Sequence, residues 1–423
     1  MLHKSNIDKN NLVDVLLRPQ FVVFSLSVIF SQIATNMLNV VLILQTYKLT
    51  NSSFAVSILV LTFLLPQIVF SFIGGIIADA KNKRKILLYG NLARVIILCL
   101  FFFVKDSLVF IYLFQLAIAI VTQFYIPAET PLIPYLVKKS QILAANAFFG
   151  ICLFGSILVG YVAAGPAIRY FGTSGVFLFM SFLFFMAYLC VWMMPKITTK
   201  TEKIRTEKTL LKNIIRIVNL IFSEFRICIN LVKNKFDVAS ALTFLILSQV
   251  IILVIATLIP DYAQKTLGIG SEDISLVIFA PAALGMILAS LIIGVRFSNK
   301  ENRVIDFGIF LSVLVLALFT SIDLLGKENI ILATFITSFF SGVANASIFV
   351  PAQAIIQTKV EEKYLSKIYG LLFAGVGVMA LIPIILAGAF ADAVGVKVNL
   401  IGIAILLLVV GVAKISFLNQ NHK

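Results

Sequence analysis

Charge is what this chain has least of. Asp, Glu, Lys and Arg make up 13% of its 423 residues, against 61% hydrophobic, whereas a soluble domain carries about 25% charged residues. Such a chain cannot cover a folded surface with polar groups. That excludes an ordinary water-soluble enzyme or binding module and leaves lipid as its solvent. Cysteine is scarce too: Cys99, Cys152, Cys190 and Cys228 are scattered through apolar or amphipathic stretches. None stands at metal-ligand spacing, so neither a disulfide framework nor a metal site is expected. The two histidines, His3 and His422, sit in the tails, which leaves no histidine proton relay. Also missing are a His-Glu-x-x-His helix, a nucleophile elbow, an acidic metal cluster and a phosphate loop. These absences argue against an enzyme and against any cofactor. No small-residue cleavage site follows the first apolar run, so no cleavable signal peptide is expected.

What is present is a series of twelve long apolar runs, at 21–44, 54–78, 86–104, 107–127, 144–165, 174–194, 238–260, 274–294, 304–324, 329–350, 368–390 and 398–417. Most reach or approach the roughly 20 residues that cross about 30 Å of hydrocarbon as helix. They do not alternate polar with apolar, which excludes a membrane barrel. The expected fold is an all-α membrane protein of twelve transmembrane helices.

The net charge of +15 does not mean nucleic acid. Lys and Arg lie in short loops, and mostly in alternate ones. Lys81, Lys83, Arg84 and Lys85, Lys138 and Lys139, the connector cations, Arg296 to Arg303, Lys359 to Lys367 and Lys414 fall on the side of the termini. Lys48, Lys105, Arg169, Lys265, Lys327 and Lys397 fall on the other, and Arg94 lies within a run. By the positive-inside rule both termini are expected in the cytoplasm, and the many Lys, Ile, Asn and Phe residues suggest a bacterial genome, hence an inner membrane.

The chain also reads as two copies of one unit. Ser31-Gln32 recurs as Ser248-Gln249, Gly75 and Arg84 as Gly294 and Arg303, and Pro127-Ala128 as Pro351-Ala352. Ala164-Gly165 and Gly172 recur as Ala387-Gly388 and Gly395. The order and near-constant offset predict an N-terminal six-helix half (1–194) and a C-terminal one (238–423). Two such halves with a substrate site between them are a transporter architecture. The connector (195–237) carries an amphipathic pattern over 210–231, suited to lying at the cytoplasmic interface.

The stretch from Gly74 to Lys85 is the most informative. Gly75 would let a neighbouring helix approach. Asp79 ends a membrane helix, where the helix dipole disfavours a carboxylate, so it wants an external cation or another helix's N-terminus. Gly75, Asp79, Lys83 and Arg84 fill slots of a Gly-x-x-x-Asp-x-x-Gly-Arg-Arg/Lys signature, and here the sequence resembles the major facilitator superfamily. Asn82 stands where glycine is usual, and Asn tolerates a left-handed turn. The resemblance implies a gate in which Asp79 bonds the adjoining half, with Ser366-Lys367-Ile368 as the expected partner. The plain alternative is a positive-inside loop. Pro127 to Pro134 with Leu143 to Ala147, and Lys367 to Gly370 with Ala387 to Asp392, resemble the macrolide- and enterobactin-exporter branch of that family. This implies proton-driven export of an amphipathic compound by a protein that works as a monomer.

Ionisable groups at membrane depth are functional candidates by default. Arg94 and Glu129 lead. Arg94 either pairs with Glu129 or snorkels towards the cytoplasm. Glu129 is either its structural partner or a proton carrier, since a carboxylate in an apolar setting can load and release a proton. Asp79, Asp237 and Asp261 follow. Gln32, Asn36 and Asn39 share one helical face. With Gln123, Tyr125, Asn146, Gln249 and Asn345 they either line a cavity or bond between helices. A wall of amides and aromatics suits a hydrophobic or weakly cationic small molecule and suits polyanions badly. Gly155, Gly160, Gly165 and Pro166 loosely resemble an antiporter motif, or are ordinary packing. The competing functions are an importer or lysophospholipid-type transporter of the same fold, and a membrane receptor.

Overall fold

The computed structural model describes residues 15, 17–104, 106–138, 141–195, 235–270, 272–296 and 301–421. The described residues form helices joined by short turns, with no strand among them. The connector 196–234, with the amphipathic pattern and Cys228, lies outside the described residues, as do His3 and His422.

The first helices are α1 (Pro19–Thr50), α2 (Ser53–Ala80), α3 (Lys83–Val104) and α4 (Leu108–Glu129). A single turn, α5 (Ile133–Leu136), leads into α6 (Ile142–Met193). Then come α7 (Phe236–Tyr262), α8 (Ala280–Arg296), α9 (Glu301–Ser321), α10 (Lys327–Lys359), α11 (Glu362–Val394) and α12 (Val396–Asn421). Among the described residues ten helical stretches are long and apolar enough to cross a membrane. One of them, Phe148–Met193, is 46 residues long, and a shorter apolar stretch, Val396–Val412, follows the last. The long one is two arms joined at Gly172, whose φ of 70° and ψ of 170° break the helix. The arms are the fifth and sixth apolar runs, so all twelve runs are helical.

Gly395, with φ of 93°, separates α11 from α12 just as Gly172 separates the arms of α6. A β-carbon is strained at both positions. These are two of the positions paired by the sequence repeat, and both do the same structural work.

By internal contacts the chain divides into two compact units, Met1–Leu49 with Thr62–Ile204, and Thr50–Leu61 with Arg205–Lys423. Each has its own core. That of the first centres on Phe21, Phe24, Leu87, Tyr125, Ala128, Phe149 and Val191. That of the second centres on Leu242, Leu245, Ile305, Ile309, Ala352 and Ile356. Ala128 and Ala352, each following an intrahelical proline, are both fully buried. In the first unit α3 packs on α4 and α6; in the second α9 packs on α10 and α12.

Close approaches at glycine set these packings. A β-carbon on Gly74 of α2 would lie 2.0 Å from the Gln123 carbonyl oxygen of α4. In the second unit one on Gly285 of α8 would lie 2.0 Å from the Phe339 carbonyl oxygen, and one on Gly342 of α10 would lie 1.8 Å from that of Ala282. Small residues that let backbones meet are how membrane helices gain packing contact. Gly75 does not do this: its β-carbon position opens onto free space. The close-approach glycine of this stretch is its neighbour Gly74, one helical position round.

Candidate functional site

A polar cluster is buried inside the first unit, where α1, α3, α4 and the second arm of α6 meet. Its centre is Arg94 of α3, 1% exposed. One terminal nitrogen donates to Ser31 Oγ of α1 at 3.0 Å, the other to Thr122 Oγ1 of α4 at 3.0 Å. Thr122 is itself held by donating to the Ile118 carbonyl one turn back. The guanidinium carbon lies 4.3 Å from the Tyr125 ring centroid and 5.3 Å from that of Phe184. A desolvated cation over an aromatic face gains about 2 kcal/mol, so two rings and two hydroxyls hold this charge. Arg94 therefore does not reach out to water.

Glu129, 3% exposed, ends α4 on the same side of the cluster. Its carboxylate accepts a hydrogen bond from Gln32 and feels the charge of Arg94. Tyr125 is buried in the same cluster, with Asn91 donating to its hydroxyl at 3.5 Å. Three buried polar atoms of the cluster have no hydrogen-bond partner among the described residues: the acceptors Glu129 Oε1 and Asn91 Oδ1 and the donor Arg94 Nε.

The loop between α2 and α3 is a separate feature. Asn82 does not adopt a left-handed backbone; among the described residues Asn51 is the one non-glycine with positive φ. Asn82 instead caps α3, its Oδ1 accepting from the Lys85 amide at 3.2 Å. That serves the orphan amides of a helix start and explains why Asn can replace glycine here. Arg84 donates from Nε to the Val191 carbonyl at 3.2 Å and from a terminal nitrogen to that of Trp192 at 2.7 Å. It thus satisfies the last carbonyls of α6, where a cation is favoured. Lys83 is buried. Asp79 lies in the last turn of α2, but its side chain, with those of Ser366 and Lys367, lies outside the described residues, while Ile368 is buried.

The chain matches the family model of the Major Facilitator Superfamily over residues 24–326. It belongs to the Major Facilitator Superfamily. It is similar to the uncharacterised MFS-type transporter YfiS of Bacillus subtilis (strain 168), at 22% identity over 386 residues, 88% of this chain and 86% of that one. Among solved structures it resembles the nucleoside transporter NupG with a TM-score of 0.73 at 12% identity, covering 94% of this chain and 98% of that one. It also resembles a POT family transporter in complex with a thioalcohol-conjugated peptide, with a TM-score of 0.69 at 13% identity, covering 95% and 96%. At such identities the structural likeness shows the fold alone. This facilitator is a membrane-embedded secondary transporter and not an enzyme.

Several residues expected to matter in this facilitator meet in the cluster: Gln32, Arg94, Tyr125 and Glu129. Asn36 donates to the Gln32 carbonyl within α1 at 2.8 Å, and its Cβ faces Gly160 of α6. Gly160 is thus packing, while Gly155 opens onto free space. Asn39 and Gln123 are half-buried on α1 and α4, and Gln249 and Asn345 on α7 and α10 of the second unit. Asn146 is exposed and spends its amide on the Ile142 carbonyl of its own helix at 2.9 Å. Asp237 ion-pairs with Lys359, and buried Asp261 with Lys265 at 2.7 Å. The sequence marks Ser31 only as part of the internal repeat, and it does not point to Asn91 and Thr122, because lone polar residues in apolar helices carry no signal of their own. Among the described residues no group of three or more His, Cys, Asp or Glu could hold a metal.

Proposed function

We propose that this transporter exports a small amphipathic or hydrophobic compound, macrolide-like or siderophore-like in character, in exchange for protons. It does so as a monomer by alternating access in the bacterial inner membrane, with both termini in the cytoplasm. The observation that supports the coupling most directly is Glu129: a buried carboxylate beside Arg94 with one oxygen free of hydrogen bonds among the described residues. A proton needs an acceptor atom of this kind. Arg94 is anchored by Ser31, Thr122 and two rings, so the cluster keeps its geometry whether Glu129 carries its proton or not. Buried ionisable residues inside membrane bundles mark proton paths.

The amides Gln32, Asn39, Gln123, Gln249 and Asn345 supply a neutral polar wall to the substrate. Abundant Phe, 38 in all, supplies apolar contact. Export is favoured over import by the resemblance of the Pro127 to Pro134 segment to macrolide and enterobactin exporters. Asp79, with Gly75, Lys83 and Arg84 around it, gates the cytoplasmic side.

The test is efflux of a cationic dye from energised cells expressing the wild type or Glu129→Gln. Export that a protonophore abolishes, and that Glu129→Gln reduces at least about tenfold, is the expected result. Dye export that Glu129→Gln leaves untouched removes Glu129 from the coupling. Dye accumulation in place of export reverses the direction.

A further inference from the structure

The first turns of α2 belong to the second unit, while α2 from Thr62 onward belongs to the first. What holds those first turns is the far end of α11. The Asp392 carboxylate accepts from the Ser53 amide at 2.7 Å and from the Phe54 amide at 3.2 Å. It also accepts from the Ser52 hydroxyl, whose oxygen in turn accepts from the Ala55 amide at 3.2 Å. A helix start leaves its first amides without intrahelical partners. Here three of them are served by one carboxylate and one hydroxyl bonded to each other. The carboxylate comes from a different helix, and the positive end of the α2 dipole favours its charge.

The contact continues along one face of α11. A β-carbon on Gly388, one turn before Asp392, would lie 2.2 Å from Ser57 Oγ and 2.7 Å from the Ser53 carbonyl oxygen. One turn earlier, the Ile384 carbonyl accepts from Ser57 Oγ at 2.8 Å. Ile384, Gly388 and Asp392 stand at i, i+4 and i+8, a single seam. Asp392 itself is exposed, so water can replace the cap when the seam parts. Pro66 has no amide to give the preceding turn of α2, which makes a bending point just past the change of unit at Leu61–Thr62.

We propose that Asp392 and the first turn of α2 form a latch that shuts one face of the transporter and is released in each cycle. The latch rests on the alternating-access reading above. It mirrors the arrangement expected of Asp79, a carboxylate ending α2 and seeking the start of α11. In the latch the carboxylate ends α11 and holds the start of α2. If the Asp79 gate is as expected from the sequence, the two helices exchange roles between their two ends, and one contact forms as the other opens.

The test uses the full chain with its four cysteines changed to serine and one reporter, Gln249→Cys, midway along α7. A membrane-impermeant maleimide is applied to each face of sealed vesicles in turn. Asp392→Ala, and separately Gly388→Val, should raise labelling from the latch face about fivefold, the effect of one lost cap on a two-state equilibrium. Both should lower labelling from the opposite face, and Asp79→Asn should do the reverse. Two variants by different physics guard against a folding defect in either one. Labelling unchanged from both faces, or raised equally from both, overturns the latch. A reporter that no variant exposes to either face overturns alternating access and the latch with it. Because the readout needs neither dye nor proton gradient, the latch can stand even where Glu129→Gln exports normally.

Discussion

Glu129 and Arg94 sit in one cluster, but their roles separate under mutation. Glu129→Gln keeps size and the hydrogen bond to Gln32, so the protein should fold and lose proton coupling. Arg94→Leu strands the polar partners Ser31 and Thr122 and leaves Glu129 without its nearby cation. It should lower thermal stability in detergent by about 3 kcal/mol, the scale of a broken buried charge contact. A second buried charge makes a companion prediction. Lys414, which the sequence places among the loop cations, lies on α12 with Nζ 2.7 Å from Asp306 Oδ1 and 4.7 Å from the Phe244 ring. Asp306→Asn should destabilise by about 2 kcal/mol or more by leaving that ammonium unpaired, and Lys414→Met in the same chain should restore most of the loss. Thermal unfolding of the two single variants and the double variant checks this. The reason Lys414 misreads is plain: it stands near the end of the last apolar run, where a lysine is ordinary, and only the packing of α12 against α9 and α7 encloses it. Arg94, Gln32, Tyr125 and Glu129 are each visible as polar residues in apolar runs. Their meeting is not visible, because it depends on which helices are neighbours.

At the scale of helices, length and apolarity were legible throughout, since a membrane-spanning run has little else to be. Close contacts were less so. Gly74 and Gly75 are equivalent in a sequence pattern, and only the rotation of α2 decides that Gly74 faces Gln123. Gly74→Val should therefore destabilise by about 2 kcal/mol or more through overpacking against backbone, while Gly75→Ala should be neutral within about 0.5 kcal/mol. Arg84→Ala should cost about 1 kcal/mol, because two carbonyls at the end of α6 lose a charged donor on a half-exposed side chain. Melting temperatures of the purified variants decide all three.

At the scale of the molecule, the internal repeat was the deepest thing the sequence held. Gly172 and Gly395, Pro127 and Pro351, and the buried Ala128 and Ala352 play matching parts in two cores. What the repeat does not reveal is where the halves stop being alike. The Arg94 cluster belongs to the first unit and the Lys414–Asp306 pair to the second, and neither is a copy of the other. Such asymmetry fits one half coupling to protons while the other answers to it.

The measurement that bears most directly on that account uses proteoliposomes loaded with a cationic dye, with wild-type protein or Glu129→Gln. Dye exchange at equal pH on both sides is compared with uphill dye movement driven by a pH gradient. The account predicts that Glu129→Gln exchanges dye at close to the wild-type rate and moves none uphill. Uphill movement at the wild-type rate by Glu129→Gln would contradict it.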